Sequence, residues 1–225
     1  LSLLLGLDDN IGRLTAELKA KHPNTLVFFF SDNGGSGRKP FFAYNTGINT
    51  PLRGDKGQTL EGGIRVPFFV SWPGQLPAGK TYDHPVSAMD VLPTAVAAAS
   101  SISGQSDVEG INLLPYLQGE KTSVPHATLA WRFGPQKALR KGNWKLVDVR
   151  DMEAKTQSGW QLYDLSADIG EANNLAAEKP EIVAELTREW DAWDKKNIAP
   201  LWHGSPSEDP TSPQKITGKP KKKTR

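Results

Sequence analysis

Leu7, Ile11, Leu14 and Leu18 recur with polar residues between them. Spacings of three and four predict an amphipathic helix running to about Lys21, and His22-Pro23-Asn24 closes it. The pattern then changes to an unbroken apolar run over 26–30, Leu-Val-Phe-Phe-Phe. A short run without alternation predicts a strand covered on both faces, as in a parallel sheet. Helix followed by strand is the rhythm of an α/β layer. Residues 65–72 predict a second apolar strand, stopped by Pro73-Gly74, and 90–100 predict a helix with Pro93 near its start.

Beyond about residue 104, glycines and prolines divide shorter segments. Residues 128–133, 138–140, 144–149 and 160–165 predict the strands of a small antiparallel sheet. Pro180 suits the first turn of a helix, along which Ile182, Leu186, Trp190 and Trp193 make one apolar stripe. From Pro200 onward Pro, Ser, Thr and Lys dominate, a composition that predicts little order after about Ser205. The expected fold class is therefore α/β. It has part of an α/β layer over 1–104, a small antiparallel sheet plus helix over 105–200, and a disordered basic tail over 201–225.

The 225 residues are 37% hydrophobic and 23% charged, an ordinary globular balance. No apolar run reaches the length of about 18 residues that a membrane span needs, so no membrane association is expected. The opening Leu1-Ser2-Leu3-Leu4-Leu5-Gly6-Leu7 lacks the basic start and small-residue cleavage site of a signal peptide. The first residue is not Met, and the chain reads as cut from something longer. The absence of cysteine excludes disulfides, thiolate metal sites and a cysteine nucleophile within these residues. The net charge is +2, but Lys219, Lys221, Lys222, Lys223 and Arg225 end the chain; removing those five charges leaves the body at −3. A nucleic-acid partner would need a basic face on the folded part, and none is expected.

Candidate chemistry begins where the first strand ends, in Ser31-Asp32-Asn33-Gly34-Gly35. Ligands of open α/β sheets bind beyond the carboxyl ends of strands. An Asp carboxylate and an Asn carbonyl are hard oxygen donors suited to Ca²⁺ or Mg²⁺, although Asp-Asn-Gly-Gly is also a good turn sequence. Next comes Pro51-Leu52-Arg53-Gly54-Asp55-Lys56-Gly57, followed by Glu61-Gly62-Gly63-Ile64-Arg65-Val66-Pro67. Cationic side chains in a glycine-rich loop suit an oxyanion; a solvated loop reads the same way.

This order of motifs, continued by Trp72-Pro73-Gly74, resembles the sulfatases of the alkaline-phosphatase-like superfamily. The resemblance extends through Asp90-Val91-Leu92-Pro93-Thr94, residues 109–119 with Glu109 where an Asp is usual, 138–147, and Leu162-Tyr163-Asp164-Leu165 with Asn174-Leu175-Ala176. It covers about residues 7–197. It implies that Asp32 and Asn33 are metal ligands for one Ca²⁺ (or Mg²⁺) and that Lys56 contacts the sulfate. Arg53 and Arg65 are left structural, Arg65 pairing with a carboxylate. Arg38 and Lys39, with Phe41, Phe42 and Tyr44, are expected to help line the substrate pocket. Phosphatase relatives usually carry Asp-His at this strand end, which suits zinc; Asn33 offers no such nitrogen.

The resemblance also implies a formylglycine nucleophile made from Cys or Ser in Cys/Ser-x-Pro-x-Arg. That motif is absent: Ser123-Val124-Pro125 is followed by His126-Ala127. The nucleophile is therefore expected upstream, and this chain alone is expected to be inactive. Asp8-Asp9 reads as a solvent-facing pair opening a helix, not as a metal pair. His22, His84, His126 and His203 match no catalytic histidine and read as surface or core. Asp164, Ser166 and Asp168 begin like a calcium loop, but Ile169 stands where glycine is required. Trp190 and Trp193 read as core. The implied substrate is a sulfated small molecule or sulfated glycan, and the implied location periplasmic or secreted. The rival readings are a phosphoester or phosphonate hydrolase of the same superfamily, and a noncatalytic anion-binding remnant.

Overall fold

The computed structural model describes residues 2–37, 47–99, 108–149 and 156–198. Helix α1 spans Ser2–Lys21, beginning before the first residue of the predicted stripe. Asp8 and Asp9 therefore lie inside the helix, exposed, and do not open it. Leu7 and Leu14 remain at least half exposed, because no described element packs extensively on this helix.

Strand β1 (Val27–Phe30) pairs antiparallel with β2 (Phe68–Ser71), Phe30 opposite Phe68 and Phe29 opposite Phe69. Among the described residues this sheet has two strands, and the expected parallel partner is not seen. An apolar run dictates apolar contact on both faces but says nothing about strand direction. One face is filled here, where Phe30 stacks on Phe68 at 5.0 Å between ring centroids. On the other face Phe29 is 43% exposed beside Phe69.

Between the strands, residues 47–60 form a glycine-rich loop that ends in α2 (Glu61–Ile64). After β2, a 3-10 turn over Ala88–Asp90 leads into α3 (Val91–Ala98), and α4 follows at Leu114–Leu117. Ser87 and Asp90 cap this start reciprocally, Asp90 Oδ2 accepting the Ser87 N–H at 2.8 Å. The buried hydroxyl of Thr94 accepts the Leu113 N–H at 2.9 Å and so ties α3 to the segment before α4.

The second sheet is an antiparallel meander of β3 (Thr128–Phe133), β4 (Gln136–Lys141), β5 (Trp144–Asp148) and β6 (Gln161–Asp164). Both tight turns place glycine first, Gly134 at φ 55° and Gly142 at φ 56°, as two-residue hairpin loops favour. Period-two alternation gives the sheet two covered faces. Leu139, Leu146 and Leu162 face Leu186 and Trp190 of α5 (Pro180–Asp194), where Ile182 and Trp193 complete the predicted stripe. Ala138, Val147 and Tyr163 face the other way and pack on Leu60, at the end of the glycine-rich loop. The sheet is thus held between a helix and the loop carrying the candidate chemistry. The chain is mixed α/β, and the expected boundary at 104 lies outside the described residues.

Candidate functional site

Two loops meet at the end of β1. The first is Asp32-Asn33-Gly34-Gly35, and the second runs from Arg53 to Leu60 and continues into α2 as far as Gly63. Their backbones interlock: the Gly34 N–H donates to Gly63 O at 2.9 Å, and the Lys56 N–H donates to Gly35 O at 3.2 Å. Glycine is required here by space. A Cβ on Gly34 would stand 1.7 Å from Gly62 O, and one on Gly63 would stand 2.1 Å from Gln58 O. Gly54 and Gly57, flanking Asp55-Lys56, adopt φ of 87° and 84°, a region that side chains disfavour.

Asn49 closes the arrangement from the side. Its Oδ1 accepts the Gly35 N–H at 2.9 Å, while Nδ2 donates to Gly35 O at 2.9 Å and to Gly54 O at 3.0 Å. One side chain thus holds both loops, beside a shallow concavity lined by Gly37, Asn49, Thr50, Leu52 and Asp55.

This frame joins the loop of Asp32 and Asn33 to the loop of Lys56 through backbone hydrogen bonds. Asp32 and Lys56 are exposed, and neither side chain has an ion-pair or hydrogen-bond partner among the described residues. Asn33 spends its Nδ2 on Gly34 O at 3.0 Å, which leaves Oδ1 without a partner among the described residues. The available groups are two hard oxygens on consecutive residues and one nearby ammonium. The oxygens fit part of a Ca²⁺ or Mg²⁺ shell, which takes about six or more donors. The described residues hold no group of three or more His, Cys, Asp or Glu placed for a metal. Arg38, Lys39, Phe41, Phe42 and Tyr44 lie outside the described residues.

Behind the loops sits a buried ionic cluster. Lys145 of β5 has no exposed side-chain surface; its Nζ lies 2.8 Å from Glu61 Oε1. Glu171 Oε1 lies 2.9 Å from the same Nζ, an ion-pair contact without hydrogen-bond alignment. The Glu61 N–H donates to Glu171 Oε2 at 2.8 Å, and Arg65 approaches Glu61 Oε2 at 3.7 Å, supplying the carboxylate partner expected for that arginine. Arg53 Nη1 donates to Glu171 O at 2.8 Å and to the Tyr163 hydroxyl at 2.9 Å. Burial pushes the Glu171 carboxyl above its ordinary pKa, with the Lys145 charge opposing it. Burial likewise raises the Tyr163 hydroxyl, with Arg53 opposing. Asn49, Glu61, Lys145 and Glu171 were not singled out as site residues from sequence. Glu61 and Lys145 carried a signal, one in the Glu-Gly-Gly-x-Arg-Val-Pro run and the other in the Trp-Lys-Leu of the 138–147 match.

The remaining candidates have structural partners. His126 Nε2 lies 2.8 Å from Asp90 Oδ2, with Asp90 fully buried, so this histidine belongs to the core beside α3. Asp164 accepts from the Ser166 N–H and hydroxyl, and Asp168 from the Ala172 and Asn173 N–H groups. Both carboxylates cap turns.

The sequence pattern of the family described as Sulfatase matches residues 1–101. That described as N-sulphoglucosamine sulphohydrolase, C-terminal, matches residues 54–196. An uncharacterized sulfatase of Schizosaccharomyces pombe is 32% identical over 226 residues, taking in 82% of this chain and 40% of that protein. The crystal structure of Ps i-CgsB in complex with k-i-k-neocarrahexaose superimposes with a TM-score of 0.74 at 31% identity, over 89% of this chain and 44% of that one. The structure of BT4656 in complex with its substrate D-glucosamine-2-N,6-O-disulfate superimposes with a TM-score of 0.61 at 25% identity, over 86% of this chain and 39% of that one. The chain spans about two-fifths of the length of these relatives.

Proposed function

The chain belongs to the sulfatase family, and we propose that it supplies the anion-holding side of a sulfuric ester hydrolase site. The observation that carries this reading is the Lys56 N–H···O Gly35 bond, which brings the ammonium-bearing loop onto the loop of Asp32 and Asn33. Oxygen donors for a cation and an ammonium for a sulfate oxygen then stand on one rigid glycine frame.

Asp32 and Asn33 would hold part of the shell of one Ca²⁺ or Mg²⁺, which when bound neutralises charge on the sulfate and orients it. Lys56 would set a positive charge against the sulfate oxygens, stabilising their charge while the nucleophile adds to sulfur and the departing alcohol oxygen takes the electron pair of the broken S–O bond. Asn49 and the interlocked glycines fix these groups before the substrate arrives, so little reorganisation accompanies reaction. The formylglycine-forming motif is absent from the 225 residues, so a sulfatase nucleophile would have to come from outside them. The substrate class is a sulfated sugar or another sulfate monoester. Support for the sugar comes from BT4656, whose bound substrate is a sulfated glucosamine.

Hydrolysis of an aryl sulfate and the matching aryl phosphate by the full-length protein tests the proposal. Sulfate release at least about 10²-fold faster than phosphate release is expected, the scale of a specific charge-fitted site. A preference for the phosphate would move the chain to the phosphoester branch. No turnover of either ester would leave an anion-binding remnant.

A further inference from the structure

We propose that Lys145 is a positioning residue, which acts through Glu61 and Glu171 to hold the two site loops in register. The proposal rests on the reading of those loops as a sulfate-ester site. Lys145 touches none of Asp32, Asn33 or Lys56; its influence runs through the backbone.

The first observation is what this one cation joins. Lys145 lies on β5, Glu61 opens α2 at the end of the Lys56 loop, and Glu171 lies in the segment after β6. Two buried carboxylates from separate segments meet at one Nζ, at 2.8 and 2.9 Å.

The second is the lack of slack between Glu61 and the site. Gly62 and Gly63 follow directly, and Gly63 O accepts the Gly34 N–H. A Cβ on Gly62 would meet Gly54 O at 2.3 Å, and one on Gly34 would meet Gly62 O at 1.7 Å. Backbones this close transmit a displacement of Glu61 to Asp32-Asn33 on one side and to the Lys56 loop on the other.

The third is the backbone of Glu171, a non-glycine residue at φ 53°. Such a conformation persists where the surroundings over-determine it. Here Glu171 O accepts from Arg53, Oε2 accepts the Glu61 N–H, and Oε1 meets Lys145. A position that only had to fill the core would carry an apolar residue, as Leu146 and Val147 do beside it. A buried ionic cluster contributes little net stability against such a residue; its distinctive capacity is to select one arrangement.

Amide hydrogen exchange on the full-length protein tests this without relying on activity. The probes are the amides of Gly34, Gly35, Lys56 and Gly62, with those of β3 and β4 as internal control. Lys145→Met is expected to speed exchange at the loop amides by at least about tenfold while the sheet amides stay within threefold, which local opening permits. Lys145→Arg keeps the charge and is expected to recover most of the protection. Loop amides unchanged in a folded Lys145→Met protein, or Arg no better than Met, would overturn the proposal. Should Lys145→Met lose the sheet protection as well, Glu171→Gln carries the test. It preserves the side-chain shape, and the same selective loop exchange is expected. A Gln variant with unchanged loops overturns the proposal equally. Kinetics with an aryl sulfate supply the second readout: Lys145→Met is expected to lower kcat more than it raises KM. If the wild-type protein hydrolyses no sulfate ester, the site reading fails, while the exchange result still decides the role of Lys145.

Discussion

Asn49 grips Gly35 by both of its backbone groups, accepting the Gly35 N–H and donating to Gly35 O, each at 2.9 Å. Its second donor contact reaches Gly54 O at 3.0 Å, so the same amide binds the loop after β1 to the loop that carries Lys56. Three hydrogen bonds from one half-buried side chain reinforce the backbone bonds, Gly34 to Gly63 and Lys56 to Gly35, that already join the two glycine loops.

Asn49→Ala in the full-length protein should therefore cost stability and activity together. Losing three hydrogen bonds at roughly 0.5–1.5 kcal/mol each lowers stability by about 1.5–4.5 kcal/mol. Asn49→Asp keeps the acceptor for the Gly35 N–H but sets a carboxylate against the carbonyls of Gly35 and Gly54. It should do no better than Ala. Thermal unfolding and kcat/KM on an aryl sulfate check both; an Asp variant as stable as wild type would show that the two donor contacts count for nothing.

The oxygen donors make a separate prediction. Asp32→Ala and Asn33→Ala should each weaken Ca²⁺ or Mg²⁺ binding by at least about tenfold, since either change leaves a cation that wants six or more ligands under-coordinated. Asn33→Asp keeps an oxygen at the same place and should retain binding. Titration calorimetry on the full-length protein decides this, and unchanged affinity in both alanine variants would remove the two residues from any metal shell.

Much of this frame was legible in the sequence because it is written in local pattern. The four strands of the meander and the stripe on α5 follow from period-two and period-four spacing, which register cannot hide. Motif order implied that the Asp32-Asn33 loop and the Lys56 loop serve one site, and the two loops are joined by the Lys56 N–H to Gly35 O bond. Strand direction was not legible: the run at 26–30 specifies contact on two faces and is silent on antiparallel pairing with β2. Lys145 was not legible either. It falls in the matched 138–147 run, but nothing in that run says that Glu61, 84 residues away, meets it. Asn49 likewise acts through carbonyls, and a backbone partner leaves no mark in the sequence.

Asp90 offers a test of stability away from the site. It is 0% exposed and accepts from the Ser87 and Ile111 N–H groups while facing His126. Asp90→Ala strands those donors in the interior, and the full-length protein should lose about 3–5 kcal/mol, the scale for breaking one side of a buried charged network. His84→Ala, at an exposed position, should stay within about 0.5 kcal/mol of wild type. Denaturant titration checks the pair; equal effects would mean that the Asp90 contacts carry no special weight.

Lys56 carries the sharpest prediction about chemistry. Its backbone is pinned to Gly35 while its side chain stays exposed, with no partner among the described residues. A lysine fixed at the base and free at the tip suits a visiting anion better than a structural ion pair. Its charge matters most when negative charge shifts onto the bound oxyanion, so the effect should fall on kcat/KM. Lys56→Ala should lower kcat/KM on a small aryl sulfate by about 10²-fold, or ~2.7 kcal/mol, the scale of losing one preorganised charge contact. Lys39→Ala should cost far less on that substrate, because the sulfatase resemblance assigns the sulfate contact to Lys56 and not to Lys39. Steady-state kinetics of the two variants side by side separate the readings. Equal, small losses would place Lys56 on a solvated surface and leave the charge that meets the sulfate to be found elsewhere.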